Sequence, residues 1–337
     1  MKKVVILDAG VLTHRSIFAW GAEKRRLLLK GTDDDPRCPA SYTYLNTCYA
    51  TLKKIGIDKD DIVIVAKDGW NSWRKAFLPE YKGQRKALRK SHEEIDWKAQ
   101  YAIINRLERQ LDKYTNWHVL QLNNAFNFAD LCLTDEGQEL NIEDYDIDMA
   151  TEYGIECDDI MAVAVKYFKN YDEIVLMTID EDISQLVYYK NVKIFNPNLK
   201  SPTNKANKGY YEIVKEPLKI RAKKYRLGDK SDNILVNKNH DTPRDVEIRQ
   251  LVINLIDLPG WVEEPILKQL NNLDYEKTID YNNLPFQNSL GKRFDTIYSK
   301  KSVRTYEESI ERDTKKQQID AEKSKLKRSQ KKKKVKV

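Results

Sequence analysis

The chain has 337 residues, is 41% hydrophobic and carries a formal charge of +7. That is enough apolar material for a real core in one large domain or two, and no segment approaches the ~18 apolar residues of a membrane span. Four cysteines without CxxC spacing (Cys38, Cys48, Cys132, Cys157) and an N-terminal apolar run cut off by Asp8 point to free thiols in a soluble, intracellular protein rather than a disulfide-stapled secreted one.

The first predicted element is a buried strand, "VVIL" (4–7), ended by Asp8. Residues 20–40 read as a charged loop, and "SYTYLNTCYATLKKIG" as a helix. A second strand, "IVIVA" (62–66), is followed closely by Asp68. The chain then reads "KDGWNSWRKAFLPEYKGQRKALRK" (67–90), where Lys82, Arg85, Lys86, Arg89 and Lys90 fall at i, i+3, i+4, i+7 and i+8, one face of a helix. No acid interrupts this stripe between Glu80 and Glu93. Residues 80–115 read as an excursion from the sheet, and 120–150 as acidic and weakly periodic. A helix, "DDIMAVAVKYFKN", precedes a third strand, "EIVLMTI" (173–179), ended by Asp180. From about residue 210 the pattern is helical, with "YEIVKEPLKIRAKKY" and "RDVEIRQLVINLIDL". Residues 314–337 hold eleven Lys/Arg against two acids, a low-complexity tail of +9 that leaves −2 for the rest of the chain.

Strands alternating with helices predict an α/β fold with a central, mostly parallel sheet flanked by helices. The expected division is an α/β domain over 1–205 with a helical arch at about 80–115, a helical subdomain over 206–313 and a basic tail over 314–337.

Asp8, Asp68 and Asp180 each follow a strand, and the carboxyl edge of an open parallel sheet is where such folds hold ligands. Further acids cluster in "GIECDD" (Glu156, Asp158, Asp159), "TIDED" (Asp180, Asp182) and "LGDKSDN" (Asp229, Asp232). Taken singly, acids in a first helical turn or a tight loop serve equally well as caps. Together they would repel unless divalent cations sat among them. Carboxylates without His or Cys partners select Mg²⁺ or Mn²⁺ over zinc, and the four histidines are scattered. An acid-lined site beside a basic helix suits a phosphodiester.

The ordered set "ILDAG", "DGWNSWRKAFLPEYKGQRK", "GIECDDIMA", "TIDEDISQLV" and "GDKSDN", spanning residues 4 to about 235, resembles the 5′-nuclease family of flap endonucleases and 5′-3′ exonucleases, nearest to the phage RNase H type. The resemblance implies a PIN/5′-nuclease-like fold and hydrolysis of phosphodiesters near the 5′ end of flapped or RNA-primed duplexes. It implies two or more Mg²⁺ ions, with Mn²⁺ as a substitute, held among Asp8, Asp68, Glu156, Asp158, Asp159, Asp180, Asp182, Asp229 and Asp232. Lys82 and Arg85 then act on the scissile phosphate, Tyr81 stacks on a base, and Arg74, Lys86 and Arg89 bind substrate. Trp70 and Trp73 fit packing better than stacking. The expected partners are flapped DNA or an RNA–DNA hybrid and a single-strand DNA-binding replication protein, for a monomer in a bacterial or phage-infected cytoplasm. The family's Gly-rich hairpin after "SDN" is absent, since the chain continues "ILVNKNHDTPRDVEIRQL". Duplex binding must therefore use another element, for which the tail is a candidate, with plain solubility as its other reading. The competing classes are a PIN-type ribonuclease, which lacks a long arch, and a non-catalytic DNA-binding factor, which has no need of a complete acid set.

Overall fold

The computed structural model describes residues 2–19, 39–93, 95–131, 147–200, 208–237, 240–277 and 293–294. The charged 20–38 segment, residues 132–146 and the 314–337 tail lie outside the described residues, as do Cys38 and Cys132. Cys48 and Cys157 are free and buried. Among the described residues no helix is long and apolar enough to cross a membrane.

Six strands form one sheet in the order β3-β2-β1-β4-β5-β6. They are β1 (Lys3–Asp8), β2 (Ile62–Lys67), β3 (Trp117–Gln121), β4 (Glu173–Met177), β5 (Val192–Lys200) and β6 (Lys208–Glu212). Every pairing is parallel except β5 with β6. The three strands expected from the sequence are the adjacent central ones, β2, β1 and β4. Buried on both faces, they are built from continuous Val, Ile and Leu. Successive side chains of β1 feed opposite cores, with Val4 and Ile6 on one face and Val5 and Leu7 on the other. The chain first grows the sheet from β1 toward β3, then returns to its other side with β4. The topological switch point therefore falls between β1 and β4, where such folds open a crevice beyond the strand ends.

On one face pack α1 (Ala9–Phe18), α2 (Pro39–Ile55) and α5 (Trp97–Tyr114). The other face carries α7 (Cys157–Tyr167) and α10 (Gly260–Asn271), with the end of α9 (Pro243–Ile253). Short helices α3 (Arg74–Phe77), α4 (Gln84–Lys90), α6 (Phe128–Leu131) and α8 (Lys219–Leu227) complete the described set.

Three expectations change. The excursion from the sheet is shorter than 80–115, because α5 buries Ile104, Leu107 and Leu111 in the core beneath β1 and β2. Its apolar residues recur at i, i+3 and i+7, so it belongs to the sheet layer. The α/β unit does not stop at residue 205, since β6 extends the sheet beyond it. The helices after 240 are not a separate body either. Val252, Ile253, Trp261, Val262 and Ile266 share one core with Ile6, Ile64 and Leu176.

Candidate active site

The acids converge because strand ends and two backbone crossings force them together. Asp8 closes β1 and caps α1, accepting the Val11 N–H at 3.0 Å through Oδ1. Its Oδ2 accepts the Thr178 hydroxyl at 2.8 Å, and Thr178 Oγ1 in turn accepts the Asp180 N–H at 3.1 Å. Thr178 thus ties the end of β1 to the end of β4 across the switch point. Asp68, one residue beyond β2, accepts the Cys157 N–H at 2.9 Å. This contact depends on Gly69 and Gly154, whose loops cross in backbone contact. A Cβ on Gly69 would lie 2.2 Å from Leu122 O, and one on Gly154 would lie 2.3 Å from Trp70 O. No side chain fits there, and the crossing sets Asp68 against the start of α7, where Glu156 and Asp158 stand.

The electrostatics follow from this crowding. Burial, with Asp68 and Asp180 nearby, pushes the Asp8 carboxyl up to about 6. Burial and the charge of Asp180 raise Asp158 well above the carboxylate range. Burial and Asp180 likewise bring Asp182 to about 6. Glu156 goes the other way. Burial opposes its charge, but Lys82 and Arg74 hold it down at about 2.

A second cluster adjoins the first. Asp182 opens a 3-10 turn (Asp182–Tyr188) directly after Asp180. Asp229 and Asp232 lie in a tight loop closed by paired 2.7 Å hydrogen bonds between the Asp229 and Ile234 backbones. Asp182, Asp229 and Asp232 each present an oxygen within 4.8 Å of the others. The donor set fits a hard divalent ion in two respects. It consists of carboxylate oxygens with no His or Cys. In addition, Asp182 Oδ1 is buried and its contact there is already a cation, the Lys224 ammonium at 2.5 Å.

The basic turn docks onto both clusters. Lys82 has φ +55, a left-handed conformation, and its N–H donates to Asp232 O at 2.9 Å. Asn233, also left-handed at φ +59, answers by donating from Nδ2 to Glu80 O at 2.9 Å. The "PEYKGQ" and "GDKSDN" segments are thereby clasped across some 150 residues of chain. From this clasp Lys82 Nζ donates to Glu156 Oε1 at 2.8 Å, and Arg85 Nη2 donates to Asp232 Oδ1 at 2.9 Å.

The expected cationic helix face is divided by this geometry. Helix α4 begins only at Gln84, so Lys82 lies in the turn before it. Arg89 is exposed and lies over the Tyr101 ring at 5.9 Å, away from the acids. Lys86 is on α4, and its side chain lies outside the described residues.

Other expected site residues are internal. Asp159 is fully buried and accepts from both terminal nitrogens of Arg74 and from Trp73 Nε1. It also accepts the Glu156 N–H at 3.2 Å, so it buttresses Glu156. Arg74 is 2% exposed and clamped between Asp159, Glu156 and Val252 O, so its guanidinium hydrogen bonds are made inside the protein. Tyr81 is 3% exposed, and its hydroxyl donates to Glu156 at 2.9 Å, so its ring offers no stacking surface. Trp73 is buried as expected, but Trp70 is 71% exposed beside Asp68, against the packing expectation.

Sequence reasoning missed Lys224 and Thr178. Lys224 hydrogen-bonds Asp229 and ion-pairs with Asp182. Its signal was its place in the last turn before Gly228-Asp229, which aims a long side chain at the following loop.

Fold and site together define an α/β protein with paired acid clusters at the switch point of its sheet. No protein-family model and no curated protein matches the sequence. Among solved structures, the chain is similar to bacteriophage T5 5′-exonuclease with zinc ions bound, at 19% identity and a TM-score of 0.44, over 88% of this chain and 98% of that one. It is also similar to a bacteriophage T5 flap endonuclease in a pseudo-enzyme–product complex with DNA and metal ions, at 17% identity and a TM-score of 0.40, over 88% and 97%.

Proposed function

We propose that this chain is a metal-dependent 5′ nuclease that hydrolyses phosphodiesters near the 5′ end of flapped or RNA-primed duplexes. The observation that carries this reading is the clasp: Lys82 and Arg85 are ion-paired onto Glu156 and Asp232, at the seam of the two acid clusters. A phosphodiester bound there meets cations on one side and acid-held ions on the other.

Asp8, Asp68, Asp158 and Asp180 would hold one ion, with Glu156 at the seam, and Asp182, Asp229 and Asp232 a second. Bound Mg²⁺, or Mn²⁺ in its place, supplies an activated water and neutralises charge on the departing oxygen. The protein's own part is positioning. Arg85 is about half exposed and free to swing from Asp232 to a phosphate oxygen. Lys82, held by its left-handed backbone, places a fixed ammonium at the reacting phosphate. Arg89, Lys86 and the exposed Trp70 extend the surface for the single strand, by charge and by stacking. A role in removing primers, a monomeric state and contact with a single-strand DNA-binding protein are consistent with this reading.

The test is a labelled 5′-flap duplex and an RNA-primed duplex, incubated with and without Mg²⁺. Mg²⁺-dependent release of short 5′ fragments is expected. Cleavage of unstructured RNA in preference to both duplexes would instead favour a PIN-type ribonuclease, and no cleavage of any substrate would favour a non-catalytic DNA-binding role.

A further inference from the structure

We propose that Lys224 is a resident counter-cation of the second acid cluster, one that an arriving divalent ion must displace and that sets how tightly the cluster holds that ion. The proposal rests on the metal-dependent reading above. Three observations carry it.

First, Lys224 reaches the cluster from outside the sheet. It lies in the last turn of α8, and its ammonium sits 2.5 Å from Asp182 Oδ1 while donating a hydrogen bond to Asp229 Oδ2. Those two acids, with Asp232, form the group whose oxygens lie within 4.8 Å of one another. The ammonium therefore stands where a cation bridging Asp182 and Asp229 would stand.

Second, the contact is a poor hydrogen bond for Asp182. Oδ1 is buried and makes no directed hydrogen bond, so the ammonium satisfies its charge but not its lone pairs. A cation with no directional demand satisfies it better. Asp229 is better served, because Ser231 also donates to Oδ1 from its N–H at 2.8 Å.

Third, the other cations at the site are committed elsewhere. Lys82 and Arg85 contact Asp232 and Glu156, while Lys224 is the lysine that touches Asp182 and Asp229. Without it, two neighbouring acids would face each other uncompensated in the ion-free protein. With it, the empty cluster is stable, at a cost in ion affinity. Lys224 is thus a positioning residue that keeps Asp182 and Asp229 in place between ion-binding events.

The test compares the full chain with Lys224→Met, which keeps length and removes charge, and with Lys224→Gln. Mn²⁺ binding is followed by the loss of the free-ion electron paramagnetic resonance signal. Both variants are expected to bind one of the Mn²⁺ ions about tenfold more tightly, the scale on which one neighbouring charge shifts a carboxylate's affinity for a cation. Both are also expected to melt lower than the native chain without metal and to recover with Mn²⁺. Lys224→Arg, which keeps the charge, should stay within about threefold of native affinity. Unchanged or weaker Mn²⁺ binding in the folded Met and Gln variants overturns the proposal and leaves Lys224 a structural tie. Absence of Mn²⁺ binding by the native chain would overturn the metal-dependent reading itself, and the proposal with it.

Discussion

The Lys82 ammonium lies 2.8 Å from Glu156 Oε1, joining residues 74 positions apart, and it is aimed there by a left-handed backbone that a lysine adopts only under constraint. The constraint is visible in the pair of hydrogen bonds that lock this turn to Asp232 and Asn233. Strain held by surrounding structure is a mark of functional positions, and it separates Lys82 from the other cations of the stretch.

Lys82→Ala should lower the single-turnover cleavage rate by roughly 10²–10³-fold, the range for losing one preorganised electrostatic contact. Arg89→Ala, at an exposed position away from the acids, should cost only a few-fold, with most of the loss appearing as weaker binding at higher salt. Rapid-quench kinetics at saturating substrate separate the two. Equal losses would reduce the whole stretch to a binding surface.

Asp8→Asn and Asp180→Asn should abolish cleavage while substrate affinity survives. Asparagine can still accept the Val11 N–H and keep the α1 cap, so the loss would not be one of folding. Filter binding of a flapped duplex, set beside a cleavage assay in Mg²⁺, checks this. Near-native turnover by either variant would remove that residue from the reactive set.

Arg74→Met should destabilise the fold by about 3–5 kcal/mol, the usual cost of stripping one partner from a buried ion pair. Asp159 would be left with buried, uncompensated charge, and Glu156 with Lys82 as its remaining counter-charge. Urea denaturation in the absence of substrate measures it. A change in substrate affinity with stability intact would return Arg74 to the binding surface.

Asp158→Asn should abolish the proposed cleavage and yet raise the melting temperature of the metal-free protein at pH 7. The folded carboxyl titrates above its unfolded value, so ionising it disfavours the fold at every pH above about 4. The gain from Asn should therefore shrink as pH falls from 7 toward 4. About 1 kcal/mol corresponds to roughly 2–4 °C, within reach of differential scanning calorimetry. A lower melting temperature at pH 7 would contradict the crowding described here.

Metal binding should release protons near pH 6. Asp8 and Asp182 titrate at about 6 in the absence of metal, and a divalent ion binds only their ionised forms. Apparent Mg²⁺ affinity should thus rise with pH through 6 and level off above about 7. Calorimetric titrations in buffers of different ionisation enthalpy count the released protons. A count near zero at pH 6 would show that these two carboxyls are already ionised or do not bind the ion.

What the sequence alone determined is what local pattern encodes. Continuous apolar runs in "VVIL", "IVIVA" and "EIVLM" specify strands buried on both faces, and those three are the adjacent heart of the sheet. The acids at their ends were legible for the same reason, because a strand's last residue in a parallel sheet must lie at its edge. Strand β5 was not legible, since Asn196, Pro197 and Asn198 are residues that favour turns over strands. The pairing with β6 accommodates them through a register shift after Asn196. Strand β3, at the other edge, is only five residues long and was lost beside the acidic segment that follows.

Only the tertiary structure decided which charges face the site. Arg74, Tyr81 and Asp159 carry the same residue chemistry as Arg85, Trp70 and Asp158. The first three are enclosed by α9 and the aromatic core, Arg85 and Trp70 are left toward solvent, and Asp158 is half-buried among the acids. The field at an ionisable group depends on neighbours brought from more than 70 residues away. The pairing of Lys82 with Glu156, and the presence of Lys224 among the acids, were for that reason not written in any local stretch of the chain.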